Sequence, residues 1–516
     1  MLQKAAKGTS VLAVQSGVNA LLGTFLFMYM ARVLSKAEMG VYGTATLIFM
    51  VTSIVGRLGL NTAASRFISH LYGNNKAEMA GAVSKRILYL SVVSASVVSI
   101  ILFVISPVLS NLLLGDYQHT QLFQTVSFAL FSAVLGFVFS GFIQGLQMFT
   151  RLALALLLSQ VIRVAVAATL LTRLLGVESL FFGYVAYYVL LVALSLGPAI
   201  NLLKRSNSTS DQSVMPLLSF SLPMVGYELA NYLYNSLDQY IVLNITGIET
   251  LGTYTVAITA ASLTMIVGGI PLSTTLTPGF SEFYGRSDAM GVTDSIKPTS
   301  RYVSLLFIPA TLGLAALSPV AINILAGQQY LESWLPTTVM CLGIATYGFS
   351  AIITSALIAL GKTASVMKIT LIASAVGLAL TIALTNTFGI AGAASAKALM
   401  YGLLLALSLY FGAKFLPLSF DNKAISGSIA ASTVMAITVY STAYYTGFNL
   451  ILLPIYIVVG LLIYALILST MRILTLQDVR FISQIMPGGK PVYDKLYQIV
   501  KNTESLSKIA QRILRG

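Results

Sequence analysis

A row of polar side chains recurs at helical spacing within the apolar stretch at residues 217–242. The row consists of Glu228, Asn231, Asn235 and Asp238. Intervals of three, four and three residues place all of them on one face of a helix. Glu228 lies eleven residues into the stretch, about 16 Å along a helix and near the middle of a bilayer. Because carboxylates in hydrocarbon are costly, this face predicts a hydrated cavity. Hydrogen bonding between packed helices is the alternative.

Three basic side chains also fall within apolar stretches. Arg163 lies eleven residues into the stretch at 152–173, at the same estimated depth as Glu228. Arg57 and Lys397 lie within a turn or two of a stretch end, where a long side chain can reach the membrane surface. Arg163 is therefore a candidate for contact with a substrate or a gate. Its structural alternative is an ion pair with Glu228 or hydrogen bonds to helix carbonyls.

The composition defines the solvent in which these side chains lie. Of 516 residues, 57% are hydrophobic and 9% are charged, and the mean hydropathy is +0.87. Soluble domains carry about 25% charged residues, so an all-α polytopic membrane protein is predicted. Apolar runs long enough to cross ~30 Å as helices recur about fourteen times. The predicted spans are 9–31, 41–61, 84–108, 121–143, 152–173, 179–201, 217–242, 253–276, 301–326, 335–358, 366–386, 391–412, 425–445 and 448–469.

The first twelve spans divide into two related halves. A shift of 212 positions, without a gap, places Gly40 and Tyr42 on Gly252 and Tyr254. Six spans return each half to the side where it began, so the two six-helix bundles are predicted to be parallel repeats. The predicted organisation is an N-terminal bundle at 1–205, a cytoplasmic linker at 206–216, a second bundle at 217–412, an additional helix pair at 425–469 and a cytoplasmic tail at 471–516.

The same shift relates the polar row to the first helix. Asn231 falls on Asn19, whereas Glu228 falls on Ser16. Two related helices with polar faces, one in each bundle, predict a central hydrated cavity between the halves. Glu228 marks the position at which the two copies differ most in their chemistry.

The formal net charge of +14 has an explanation in membrane topology. Lys and Arg are concentrated on the cytoplasmic side of membrane proteins. With a cytoplasmic N-terminus, most basic residues fall on inner segments, and the outer loops hold Arg32, Lys36 and Arg173. Both termini are therefore predicted to be cytoplasmic, and nucleic acid is not an expected partner.

Signals for catalysis, cofactors or metals are weak. Gly-Lys-Thr at 361–363 resembles the end of a phosphate-binding loop but lacks the glycine needed five residues earlier. His70 and His119 are predicted on opposite sides of the membrane and cannot share a metal ion. Cys341 is the single cysteine, so no intrachain disulfide forms. We expect no enzyme, no cofactor and no metal site.

Short motifs occupy both halves of the sequence. The first half carries Ala-Arg-Val-Leu at 31–34, Met-Gly-Val-Tyr at 39–42, Leu-Gly-Leu at 58–60 and Arg-Phe-Ile-Ser at 66–69. The second half carries Phe-Ser-Leu-Pro at 220–223, Leu-Gly-Thr-Tyr at 251–254 and Gly-Lys at 361–362. Together with the six-plus-six-plus-two count, these motifs resemble the polysaccharide-biosynthesis flippases of the multidrug/oligosaccharidyl-lipid/polysaccharide exporter superfamily.

The resemblance implies a V-shaped pair of bundles that alternates between inward-open and outward-open states. It implies a substrate that is an undecaprenyl- or dolichyl-linked oligosaccharide. Cationic residues in the cavity of such flippases meet the lipid diphosphate and sugar acids, a role that Arg163, Arg57 and Lys397 match here. Glu228 and Asp238 leave room for coupling to a proton or a sodium ion.

The predicted function is translocation of a lipid-linked oligosaccharide or polysaccharide precursor across the cytoplasmic membrane of a prokaryote. The predicted mechanism is alternating access, driven by an ion gradient or the membrane potential, with surrounding membrane lipids holding the substrate's tail. An ion-coupled exporter of drugs or organic cations from the same superfamily is the first alternative. A membrane-embedded transferase is the second, and it would need an acidic outer loop, where the sequence offers only Glu38.

Overall fold

The computed structural model describes residues 2–74, 76–173, 176–205, 215–265, 276, 280 and 289–473. Most of the predicted linker at 206–216 and nearly all of the predicted tail at 471–516 lie outside the described residues. All regular structure in the described ranges is helical, which confirms the predicted all-α fold class.

The described helices overlap the predicted apolar stretches, and several extend seven or more residues beyond them. In chain order they are α1 (Leu2–Val33), α2 (Lys36–Arg57), α3 (Leu60–Gly73), α4 (Ala77–Leu114), α5 (Thr120–Gly145), α6 (Phe149–Thr172), α7 (Glu178–Lys204), α8 (Met215–Thr246), α9 (Ile248–Thr264), α10 (Ala289–Ala316), α11 (Ser318–Ala326), α12 (Trp334–Ala359), α13 (Thr363–Gly412), α14 (Asn422–Tyr445) and α15 (Leu453–Thr470). Short 3₁₀ helices at Gln328–Ser333 and Leu450–Leu452 precede α12 and α15.

Nine helices of the described part are long and apolar enough to cross a membrane. A tenth span results when α10 and α11, which are bent by 75°, are counted together. The chain is therefore an integral multi-pass membrane protein, while the number of fourteen spans stays a prediction. The predicted single span at 301–326 is wrong in detail, because the helix bends sharply ahead of Pro319, whose ring restricts the preceding backbone.

The 50-residue helix α13 contains two predicted spans, at 366–386 and 391–412. A straight helix of that length would measure about 75 Å, more than twice the bilayer core. Gly389 breaks it with φ 58° and ψ −138°, a conformation that side chains other than glycine disfavour. A Cβ atom added to Gly392 would lie 1.9 Å from the carbonyl oxygen of Leu384. The chain thus turns back on itself at Gly389 as a helical hairpin.

The described chain divides into two compact units, each with its own packing. The first unit comprises 1–257, 324–333 and 378–393, and the second comprises 258–323, 334–377 and 394–516. In the first unit, the short helix α3 packs against α4 and α5 through the buried side chains of Leu60, Ile68 and Phe142. The predicted span at 41–61 ends early, because Leu58 and Gly59 adopt left-handed conformations that separate α2 from α3.

Two glycines related by the 212-residue shift face each other in the first unit. A Cβ atom on Gly40 would lie 2.0 Å from the carbonyl oxygen of Ile248. A Cβ atom on Gly252 would lie 2.0 Å from the carbonyl oxygen of Lys36. Positions 36 and 248 are also 212 apart. The two contacts are therefore equivalent and are related by a local twofold axis. The starts of α2 and α9 cross this closely because neither glycine carries a side chain.

The segment 324–333 lies against the α1–α2 connection of the first unit. The Nη2 atom of Arg32 donates a hydrogen bond to the carbonyl oxygen of Ile324 at 2.7 Å. Lys36 Nζ lies 3.4 Å from a carboxylate oxygen of Glu332. Two of the three cations predicted for the outer loops are therefore engaged locally with protein partners.

The second unit anchors the terminal helix pair to α10 through Arg301. Its Nη1 atom lies 2.8 Å from a carboxylate oxygen of Asp421, and its Nη2 atom donates to the carbonyl oxygen of Ile473. Burial acts to raise the pKa of the Asp421 carboxyl, but hydrogen bonds from Arg301 and from the Ala424 amide hold it below its ordinary value. The Tyr464 hydroxyl donates to the carbonyl oxygen of Leu305 at 2.9 Å and fixes α15 on α10.

Candidate functional site

Helix α8 carries the polar row, and the structure divides the row into three environments. Glu228 is partly exposed and faces a basic partner. Asn235 is exposed, and its amide donates at 2.8 Å to the carbonyl oxygen of Asn231 one turn earlier. Asp238 is buried, with 7% of its surface accessible, and accepts a hydrogen bond of 2.7 Å from the Tyr254 hydroxyl. The acidic ends of the row thus both contact protein side chains, and Asn235 near its centre is exposed.

Glu228 pairs with Arg57. The two side chains approach to 3.0 Å, with 13% of the Arg57 side chain and 28% of the Glu228 side chain exposed. The Nε atom of Arg57 also donates to the carbonyl oxygen of Ser53 at 3.2 Å. The guanidinium carbon lies 4.2 Å from the centre of the Phe137 ring. The proposed alternative pair of Glu228 with Arg163 is wrong, because Arg57, at the end of α2, lies beside α8 and occupies the carboxylate.

Arg163 of α6 has a different environment. Its guanidinium carbon lies 3.9 Å above the centre of the Tyr184 ring. Its Nε atom is buried and has no hydrogen-bond partner. No acidic side chain among the described residues lies within 4.0 Å of it. The charge is therefore held by an aromatic face, which attracts a cation without occupying its hydrogen-bond donors.

The two arginines lie at opposite ends of a line of aromatic rings. Tyr184, beneath Arg163, stacks on Tyr188 with ring centres 6.4 Å apart and planes at 16°. Tyr188 lies 5.4 Å from Phe137, the ring beneath Arg57. Tyr184 and Tyr188 are both nearly fully buried, so the line is a rigid support inside the first unit. The guanidinium groups are its two polar ends.

Sequence reasoning missed this aromatic line, although one signal was available. Phe181, Tyr184 and Tyr188 follow one another at intervals of three and four, which places them on one face of α7. The contribution of Phe137 from α5 had no comparable signal, because it depends on how two helices pack.

The remaining candidates lie apart from the arginine line. The Oδ1 atom of Asn19 in α1 is buried and has no hydrogen-bond partner. Lys397 is buried in the second unit, with 7% of its surface accessible, which argues against the alternative that its side chain reaches the membrane surface, and its place in a cavity stays a prediction. Over the described ranges, no three His, Cys, Asp or Glu side chains converge as ligands of a metal ion would.

The arrangement in the first unit suits recognition of an anion. A guanidinium presents five donors in a planar fork that matches carboxylate and phosphate oxygens. Arg57 already has a carboxylate partner, and Arg163 has only its ring. Among the described residues, an anionic group could pair with Arg163 directly, whereas at Arg57 it would first have to displace Glu228.

The chain is similar to curated proteins of glycan export and sporulation. It is 24% identical over 294 residues to the "probable low-salt glycan biosynthesis flippase Agl15" of Haloferax volcanii, covering 57% of this chain and 61% of that one. It is 24% identical over 508 residues to the stage V sporulation protein B of Bacillus subtilis, covering 92% and 96%. The chain thus spans under two thirds of the first relative and nearly all of the second.

Solved structures with the same fold are transporters. The lipid II flippase MurJ in an inward closed conformation matches with a TM-score of 0.70 and 17% identity, covering 89% of this chain and 97% of that one. An inward-facing multidrug resistance MATE transporter of the MOP superfamily matches with a TM-score of 0.67 and 14% identity, covering 77% and 94%. At these identities the likeness shows the fold alone.

A family model described as "polysaccharide biosynthesis protein" matches residues 29–335, which is more than half of the chain. The matched region includes Arg57, Arg163, Glu228 and Asp238, and it leaves out Lys397. The arginine line and the acidic row thus lie in the part of the sequence that the family shares. The chain belongs to the polysaccharide biosynthesis protein family.

Proposed function

We propose that this protein flips a lipid-linked oligosaccharide or polysaccharide precursor across the cytoplasmic membrane of a prokaryote. The observation that carries the proposal is Arg163, a cation inside the first unit that contacts an aromatic ring and no acidic side chain of the described residues. A buried charge without a counter-ion is costly, and an anionic headgroup would supply one. The names of the relatives and the family support a glycan as the rest of the cargo.

Arg163 is the proposed first contact for the lipid diphosphate. The Tyr184 ring contacts one face of the guanidinium and, since Nε is buried, the Nη donors would be the ones that bind phosphate oxygens. Charge-assisted hydrogen bonds in a bidentate geometry are about twice as strong as neutral ones. Support from Tyr188 and Phe137 keeps the ring in place, so little side-chain entropy is lost when the headgroup binds.

Arg57 and Glu228 are the proposed gate of the site. Their ion pair joins α2 of the first repeat to α8 of the second. A second phosphate or a sugar acid that binds Arg57 would replace the Glu228 carboxylate and break this link. Ligand binding would then change the relative stability of the inward-open and outward-open states, which alternating access requires.

Ion coupling would use Asp238. It is a buried carboxylate that accepts a hydrogen bond from the Tyr254 hydroxyl. A proton or a sodium ion that binds there would be driven inward by the membrane potential, at about 2.3 kcal/mol per charge for 100 mV. Both chain termini are proposed to face the cytoplasm, as the charge asymmetry predicts.

The experiment is reconstitution of the purified full chain in sealed proteoliposomes with a lipid-linked oligosaccharide. Translocation is measured as loss of the sugar's accessibility to an added glycan-binding protein or glycosidase. We expect the cargo to move to the opposite leaflet faster than in protein-free vesicles. The proposal would be overturned if translocation were equally fast with and without protein for both an undecaprenyl-linked and a dolichyl-linked oligosaccharide.

An exporter of organic cations is the competing function. The carboxylates of Glu228 and Asp238 favour it, because acidic side chains attract a cationic cargo. Arg57 already neutralises Glu228, and Arg163 adds a positive charge that would repel a cationic cargo. The same proteoliposomes loaded with a fluorescent organic cation separate the two functions. Transport of the cation without movement of the glycan lipid would favour the exporter. In detergent, where no sealed membrane exists, synthesis of a glycan by the protein would favour a transferase.

A further inference from the structure

The described part of the second unit carries an excess of positive charge. Its described residues contain eight Lys and Arg side chains and only two acidic ones, Asp294 and Asp421. Asp421 is engaged by Arg301 in a contact of 2.8 Å. Among the described residues of this unit, cations thus outnumber carboxylates by eight to two. The basic residues in the described part of the second unit are Lys297, Arg301, Lys362, Lys368, Lys397, Lys414, Lys423 and Arg472.

Lys362 and Lys414 lie close to the two ends of one helical hairpin. Lys362 immediately precedes α13, and Lys414 lies just beyond its last residue. Because α13 folds back at Gly389, its two ends lie side by side, and Lys362 reaches the ring of Phe415. Arg301 joins the start of α14 to the end of α15 through Asp421 and Ile473.

Two of the lysines lie over aromatic rings that are themselves exposed. Lys362 Nζ lies 4.8 Å from the centre of the Phe415 ring. Lys414 Nζ lies 4.3 Å from the Tyr410 ring and 5.1 Å from the Phe411 ring. Tyr410 is 60% exposed and Phe415 is 42% exposed. Exposed aromatic rings beside lysines are typical of the boundary between lipid tails and headgroups.

We propose that Lys362, Lys414 and Phe415 form a binding site for the phosphate of an anionic phospholipid; we call these residues the basic–aromatic site. The two ammonium groups contact the phosphate, and the rings lie against the glycerol and the first acyl carbons. Two ammonium groups above exposed rings combine electrostatic attraction with apolar contact.

The occupant is a lipid and not a free phosphate, because exposed apolar side chains lie within about three helical turns of Lys362 on α13. Met367 and Leu371 follow Lys362 on α13 and are 56% and 50% exposed. They offer a path for acyl chains at the depth where a headgroup would bind the lysines. A small soluble anion would gain nothing from this apolar surface.

The test compares two charge-matched double variants of the full-length protein in detergent. K362Q/K414Q removes both lysines of the site. K85Q/K204Q removes two exposed lysines of the first unit and is the control. Association of phosphatidylglycerol and of phosphatidylcholine is counted by native mass spectrometry, and thermal unfolding verifies that each variant folds.

We expect the wild-type protein to prefer phosphatidylglycerol, and K362Q/K414Q to lower that lipid's affinity about 30-fold. The control variant should stay within about 2-fold of wild type. F415L, which keeps apolar bulk but removes the ring, should lower the affinity about 3-fold. Equal losses of phosphatidylglycerol affinity in both double variants would show that only the net charge matters, and this would overturn the proposed site. Competition by inorganic phosphate at the same concentration as the lipid would overturn the lipid as its occupant.

Discussion

Arg301 lies in a helix of the second unit and Arg163 in a helix of the first. They differ in the protein groups that contact their guanidinium. Arg301 contacts the carboxylate of Asp421 and the carbonyl oxygen of Ile473, so its charge is matched inside its own unit. Arg163 contacts the face of Tyr184, and its Nε atom has no hydrogen-bond partner. A matched arginine stabilises the packing around it. An arginine with unoccupied donors is poised for a ligand.

This comparison also separates two uses of ion pairs in one protein. The Arg301–Asp421 pair is reinforced by a backbone carbonyl and by the cap of α14, where Asp421 accepts from the Ala424 amide. In the Arg57–Glu228 pair, Arg57 also donates to a backbone carbonyl, that of Ser53, but Glu228 stays 28% exposed. The first arrangement holds helices together, and the second can be opened by a competing anion.

The largest expected effect is on stability, from Arg301→Ala. Removing one partner of a largely buried pair leaves Asp421 without its counter-ion and should lower the free energy of unfolding by about 3 kcal/mol. Thermal and denaturant unfolding of the purified protein measure this. R163A in the same assay should change stability by less than about 1 kcal/mol, since Arg163 has no carboxylate partner to lose. Equal destabilisation by both variants would contradict the distinction between the two arginines.

Arg163→Ala should reduce glycan-lipid translocation on the order of 100-fold, because two charge-assisted hydrogen bonds to the headgroup are lost. R163K should recover part of the rate, since lysine keeps the charge but not the planar fork. R173A is the matched control, an exposed arginine just beyond the end of the same helix. Rates in proteoliposomes with equal protein content test this. A normal rate for R163A would exclude Arg163 from substrate binding.

Tyr184→Leu should weaken headgroup binding about 10-fold, because a desolvated cation–π contact is worth about 2 kcal/mol at most and part of the packing remains. Y184F keeps the ring and should stay within about 2-fold of wild type. Binding of a short-chain prenyl diphosphate by calorimetry gives the affinities. If Tyr184 only filled space, Y184L would change the unfolding temperature and leave the affinity of the folded protein unchanged.

The smallest expected effect has the opposite sign. Glu228→Gln should tighten binding of the same prenyl diphosphate about 5-fold, because Arg57 then loses an anion that competes with the ligand. Translocation should slow, since the link between α2 and α8 no longer re-forms after release. N244A, an exposed position on α8, is the control. Weaker binding by E228Q would mean that Glu228 contacts the cargo and is not its competitor.

Much of the fold could be predicted from local sequence properties. The apolar runs located most of the described helices, because crossing the hydrocarbon requires a minimum number of apolar residues, but several helices extend seven or more residues beyond the predicted bounds. Where prediction was wrong, the cause was local backbone geometry. Leu58 and Gly59 end α2 earlier than the apolar pattern does, and the bend before Pro319 divides one predicted span into two helices.

The sequence by itself determined the membrane environment, the helical class and the repeat, since hydrophobicity, period and self-similarity are properties of the chain alone. It also picked out Arg163 and Glu228 as charges at bilayer depth. Only the tertiary structure decided that Glu228 binds Arg57, that a line of rings joins the two arginines, and that Gly40 and Gly252 make the same contact twice. These features depend on which faces of distant helices meet, and packing among many segments sets that choice.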